Sequence, residues 1–141
     1  MCVPTTSSFR LHDFQGHTLN LGAGINPIIS YPPQVPIGTN EKWSLNTAME
    51  LVTAENGQVV TWAQGSPNNL GFPALAQAVT TTGTGLSFTI TCINSTSGSI
   101  KESSGRALTA WLAPSAFLQS PVTFEDFANI KEQIWTLEEL D

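Results

Sequence analysis

The chain has 141 residues, of which 40% are hydrophobic and only 11% charged, against roughly 25% charged in an average soluble protein. Its net charge is −6, and its five basic residues (Arg10, Lys42, Lys101, Arg106 and Lys131) are scattered. That distribution disfavours nucleic acid, which needs a basic stripe, and an anionic membrane surface. The length suits one domain with a sizeable core, and a polar surface of Thr, Ser, Asn and Gln punctuated by 11 Gly and 9 Pro favours turns and strands over helices.

Taken in order, Phe9-Arg10-Leu11 alternates as a first strand and Asp13 to Gly16 forms a turn. Thr18-Leu19-Asn20-Leu21 is a second strand with its leucines on one face. Gly22, Gly24, Asn26 and Pro27 end it. Ile28 to Tyr31 is a third strand, stopped by Pro32-Pro33, and a Pro-rich loop leads to Trp43-Ser44-Leu45. A second unit begins at Met49-Glu50-Leu51-Val52 and turns at Asn56-Gly57, a pair suited to a tight hairpin. Val59 to Trp62 returns, Leu70-Gly71-Phe72 is read as this unit's second strand, Gln77 to Thr80 as its third, and Leu86-Ser87-Phe88-Thr89-Ile90 as its last.

The third unit repeats the first. Ser99-Ile100-Lys101 opens it, Gly105 precedes Leu108 as Gly16 precedes Leu19, and Pro121 to Phe124 matches Pro27 to Ser30. Trp135-Thr136-Leu137 closes it. Phe124, Phe127, Ile130, Ile134 and Leu137 also fit a helical face, but the repeat favours strands there, with at most a helical turn near Asn129.

Trp43, Phe88 and Trp135 therefore recur at roughly forty-five residues, the signature of one structural unit used three times. Units over residues 9–47, 48–93 and 98–140, each of four strands sending an aromatic into a shared core, predict an all-β chain folded as a single β-trefoil over 1–141 with pseudo-threefold symmetry. Trp111 is expected in the core with Trp43 and Trp135, whereas for Trp62 both core and surface stay open.

Cys2 and Cys92 are too few for a disulfide framework. Cys92 reads as a buried free thiol and Cys2 as part of a mobile terminus. With no apolar run of signal-peptide or membrane length in the sequence, this predicts a cytoplasmic protein, in which the sequon Asn94-Ser95-Thr96 is only a turn.

Gln133-Ile134-Trp135 and, with Glu for Gln, Glu41-Lys42-Trp43 resemble the Gln-x-Trp close of each repeat in the ricin-B-like β-trefoil lectins. Leu86-Ser87-Phe88 departs at both ends. Gly65-Ser66-Pro67-Asn68, Gly71-Phe72, Gly105-Arg106, Trp111 and Val122 extend the resemblance to the small cytoplasmic lectins of mushrooms, and most to the ink-cap type that binds fucosylated chitobiose. The resemblance implies a fungal, non-catalytic carbohydrate-binding protein with a glycan or monosaccharide ligand. In such units an acid or amide sits on the second strand, an aromatic after the third, and an amide just before Gln-x-Trp. On that pattern the first unit offers Asn20, Tyr31 and Asn40 as a sugar site. The middle unit offers Phe72, Thr84 and Leu86, and the third Thr109, Glu125 and Asn129.

An aromatic face for the sugar ring beside short hydroxyl-bonding groups is what such a ligand requires. No residues assemble into a catalytic or metal-binding set. His12 and His17 have only Asp13 nearby and read as surface turn histidines, there is no nucleophile elbow, and no cofactor loop is present. An enzyme is not expected. The chain is expected as a monomer or weak homodimer. Two alternatives remain: a protease inhibitor acting through Pro32-Pro33-Gln34-Val35-Pro36 or through Ala113 to Ser120, and a non-catalytic subunit that has lost sugar binding.

Overall fold

In the computed structural model, residues 2–63 and 76–140 are described. They form twelve strands: β1 Phe9–His12, β2 Thr18–Leu21, β3 Ile28–Tyr31, β4 Trp43–Leu45, β5 Leu51–Thr53, β6 Val59–Ala63, β7 Gln77–Thr81, β8 Thr89–Cys92, β9 Ser97–Lys101, β10 Arg106–Ala110, β11 Ser120–Asp126 and β12 Trp135–Glu139. Every pairing is antiparallel. The strands β1, β4, β5, β8, β9 and β12 are the staves of a barrel: β12 pairs β1, β1 pairs β4, β4 pairs β5, and β8 pairs β9, which pairs β12. Between β5 and β8 the ring is closed by the Phe88 N–H, which donates to Met49 O at 2.9 Å. The hairpins β2–β3, β6–β7 and β10–β11 cap one end, and β11 joins the other two through Ser120↔Ser30 and Thr123↔Gln77. This is a β-trefoil.

The three anchors lie in the core at 0% (Trp43), 3% (Phe88) and 2% (Trp135) exposure. Around them pack Phe9, Leu19, Leu51, Val60, Leu108 and Phe124. The repeat reaches the turns. The Gly16 N–H donates to Asp13 O at 3.1 Å and the Gly105 N–H to Glu102 O at 3.0 Å. Both glycines sit at positive φ, 84° and 91°, where a side chain would be strained. In each turn the acid also accepts the N–H four residues on, His17 or Arg106, at 2.9 Å.

Several expectations change. The second strand of the middle unit is β6, because Val59–Ala63 pairs β7 over five residue pairs as β2 pairs β3; Leu70-Gly71-Phe72 lies outside the described residues. The rival helix over 124–140 does not form: β11 runs to Asp126, a 3-10 turn spans Lys131–Gln133, and β12 follows. Trp111 is half-buried, not core, and its indole N–H donates to Thr123 Oγ1 at 2.8 Å. Trp62 is 41% exposed, with the Arg106 guanidinium 5.4 Å from its ring centre. His17 is buried, not on the surface, since Asp13 pulls its backbone inward and its Nε2 meets Ala116 O at 3.2 Å.

The cysteines are also corrected. Cys92 is an exposed residue at the end of β8 and forms a disulfide with Cys2, so neither is a free thiol. The terminal segment is thereby tied across the open end of the barrel, where Thr5 N–H and Oγ1 donate to Glu139 Oε1 at 2.8 and 3.1 Å. The free-thiol reason for a reducing compartment falls with this pairing.

Candidate functional site

The loops of the first unit enclose a pocket of about 520 Å³. It brings together all three residues singled out there, Asn20, Tyr31 and Asn40, and adds Gln34. Each arrives on a different element for a local reason. Asn20 alternates with Leu19 and Leu21 on β2, whose leucines fill the core. Tyr31 ends β3 where Pro32 halts the ladder. Asn40 lies in the 3-10 turn Thr39–Glu41. Ile25, Ile29 and Ala23 add apolar surface to the lining, and Gln119 comes from the third unit. Among the described residues, no charged side chain lines the pocket.

The polar groups are only partly satisfied by one another. Asn40 Nδ2 donates to Asn20 Oδ1 at 3.1 Å. Asn20 is 1% exposed, yet no protein group accepts from its Nδ2. Gln34 Oε1 is likewise buried and accepts from none. A buried polar atom left unmatched costs roughly 1–3 kcal/mol, and the pocket wall carries one donor and one acceptor without a protein partner. Gly38 makes room for the Asn40 and Gln34 side chains: a Cβ there would collide with Asn40 Oδ1 and Gln34 Oε1. Tyr31 is half-buried, so it offers a ring face while staying anchored.

Behind the pocket wall, Glu41 is fully buried and pairs with Arg10, whose Nη1 lies 3.1 Å from Glu41 Oε1. Arg10 also grips Glu138 with Nε and Nη2 at 2.8 and 3.1 Å, and His12 Nε2 lies 2.6 Å from Glu138 Oε1. Burial pushes the Glu138 carboxyl up, but the bonds from His12 and Arg10 outweigh it and hold the group below its ordinary value.

The other two units are built differently. In the middle unit Thr84 is exposed, Leu86 packs half-buried against the core with its N–H on Val60 O at 2.9 Å, and Phe72 lies outside the described residues. In the third, Thr109 is buried, donates to Ala107 O at 2.8 Å and accepts from Gln133 at 3.3 Å. Glu125 is half-buried with Oε2 unmatched, and Asn129 is exposed at a φ of 55°. Of the two loops considered for protease inhibition, 32–36 supplies Gln34 to the pocket. The other folds into a turn, with the Leu118 N–H on Ser115 O at 3.2 Å, and is not extended. Among the described residues no group of three or more His, Cys, Asp or Glu could hold a metal ion, and no helix is long and apolar enough to cross a membrane.

Sequence reasoning missed Gln34, Ile25 and Gln119. Gln34 carried a weak signal, sitting in the rigid Pro-rich loop three residues past Tyr31; Gln119 carried none, since only the cap brings β11 beside β3.

No family model matches the chain, and no curated protein matches it. Solved structures do. The chain is similar to the Macrolepiota procera ricin B-like lectin in complex with lactose, at a TM-score of 0.77 and 19% identity, covering 99% of this chain and 100% of that one. It is similar to the Rhizoctonia solani agglutinin, at 0.75 and 20%, covering 99% of each. It is also similar to ThreeFoil, a designed threefold-symmetric protein, at 0.75 and 17%, covering 95% of this chain and 99% of that one. The chain is structurally similar to ricin B-like β-trefoil lectins in general. At these identities the likeness establishes the fold.

Proposed function

We propose that the protein is a non-catalytic carbohydrate-binding protein whose first-unit pocket takes a neutral glycan. The observation that carries this reading is the uncharged pocket that sets the Tyr31 ring beside an unmatched donor, Asn20 Nδ2, and an unmatched acceptor, Gln34 Oε1. A pyranose presents an apolar face to an aromatic ring and pairs of hydroxyls that donate and accept together. Tyr31 stacks on the ring, while Asn20, Gln34 and Asn40 bond hydroxyls. With neutral amides and no charge-assisted bond, a monosaccharide binds at about millimolar affinity, or about −4 kcal/mol.

The likeness to two lectin structures supports this class of ligand. The finer kinship with the ink-cap mushroom type rests on 65–72, outside the described residues, and on Gly105-Arg106, Trp111 and Val122. We read the protein as a monomer or weak dimer with one working site per chain; the monomer binds glycans without cross-linking cells, because cross-linking needs at least two sites. A cytoplasmic location would oppose the disulfide, since cytosolic thiols are kept reduced. Alkylation of the native protein before reduction decides this: modified cysteines mean the cytoplasm, protected ones an oxidising compartment.

A glycan array probed with the wild type and with Tyr31→Ala tests the function. Binding by the wild type that the variant loses supports it. Silence of the wild type on the array, combined with inhibition of a protease, replaces it with the inhibitor reading.

A further inference from the structure

Two units close their last loop with a buried polar residue two positions before the tryptophan, and they do so with opposite chemistry. In the third unit, Gln133 Oε1 accepts the Ala128 N–H at 2.8 Å while its Nε2 donates to Asp126 O at 2.9 Å. That loop presents one donor and one acceptor, and a neutral amide matches both. In the first unit the loop presents two donors. Glu41 Oε2 accepts the Gln34 N–H at 3.2 Å and the Gly38 N–H at 3.1 Å, and Glu41 Oε1 accepts Thr18 Oγ1 at 3.1 Å. An amide whose oxygen took both loop N–H groups would turn its NH2 onto Arg10 Nη1 and Thr18 Oγ1, which donate to Oε1; a carboxylate accepts from all four.

A buried carboxylate requires a partner charge, and Arg10 supplies it from β1. Counting three residues back from the turn acids Asp13 and Glu102 shows that the third unit has Ser99 where the first has Arg10. The charged pair therefore occurs only where the loop carries two donors. The segment it holds is the pocket wall, with Gln34 contributing its unmatched oxygen and Gly38 the space in which the Gln34 and Asn40 side chains meet. We propose that Arg10 and Glu41 are positioning residues of the first-unit site, a coupled pair that fixes the 34–40 loop in its ligand-ready shape without touching ligand. This rests on the sugar reading above.

The test has two readouts. Amide hydrogen exchange at Gln34 and Gly38 reports the clamp in the free protein, and glycan titration reports the site. Glu41→Gln is expected to speed exchange at both amides and weaken binding about tenfold, a typical size for residues coupled in one network. Arg10→Met is expected to do the same, and the double variant no worse than either single one. Arg10→Lys keeps the charge but loses the planar two-pronged grip on Glu138, so it should recover most of the affinity; should Glu41→Gln fail to fold, this variant against Arg10→Met carries the comparison. Unchanged exchange and affinity in folded Glu41→Gln, or strictly additive losses in the double variant, would overturn the proposal. A wild type that binds no glycan refutes the sugar reading, and the exchange rates alone then decide the clamp.

Discussion

The indole N–H of Trp135 donates to the carbonyl of Leu108 at 2.9 Å, and Trp43 makes the same bond to Leu19 at the same distance. Each bond ties a barrel strand to the inward residue of its own cap hairpin. The Phe88 ring has no N–H to give, and the middle unit instead uses the Leu86 backbone N–H on Val60 O. Trp135→Phe should therefore cost about 1–3 kcal/mol, because a buried carbonyl loses its partner. Trp135→Ala should cost about 3–5 kcal/mol, the range for a large core truncation. Urea unfolding curves with unchanged slope would give both numbers.

The disulfide closes a loop of 90 residues between Cys2 and Cys92. Cys2→Ser should lower stability by about 2–4 kcal/mol, chiefly by freeing the unfolded chain. Thermal melts of the wild type with and without a thiol reductant should differ by the same amount, and the Cys2→Ser melt should not respond to reductant.

Stability should fall in acid through Glu102 and Glu138. For both, burial raises the carboxyl's pKa, but the bonds around it win: Ser104 and the Arg106 N–H at Glu102, His12 and Arg10 at Glu138. Both folded-state values lie below the ordinary 4.5. Their contribution is complete above the unfolded-state value and is lost as pH falls through the folded ones. Denaturation midpoints should hold level above that value and decline below it, and Glu102→Gln should flatten part of the decline.

Gly38→Ala should separate binding from folding. The Gly38 backbone, at φ −86° and ψ 154°, accepts alanine. The new Cβ would displace only the tips of Asn40 and Gln34, which are flexible and cheap to move but belong to the pocket. The melting temperature should stay near that of the wild type while glycan affinity drops about tenfold, or about 1.4 kcal/mol.

The fold was legible because its determinants are local and repeated. Trp43, Phe88 and Trp135 at even intervals, with glycines three residues before Leu19 and Leu108, set strand faces and turns without any long-range information. The middle unit's second strand was not legible because the apolar signal of Val59 to Trp62 does not name its partner, and the pairing with β7 that makes it the cap strand is long-range. Asn20, Tyr31 and Asn40 were named from the resemblance to ricin-type units, and the three line one pocket. Gln34 and the Arg10–Glu41 pair were not, since both depend on a loop folding back over β1 and β2. Cys2 and Cys92 were misread for the same reason: sequence separation hides that the end of β8 meets the amino-terminal segment.

The central claim, that a neutral glycan binds in the first-unit pocket, is tested most directly by a heteronuclear NMR titration with a glycan chosen from the array, following the side-chain amides of Asn20, Gln34 and Asn40. We expect these amides to shift together along one saturable curve, with the surroundings of Thr84 and Glu125 unmoved. Saturable shifts confined to the middle or third unit, with the three amides unmoved, would contradict it.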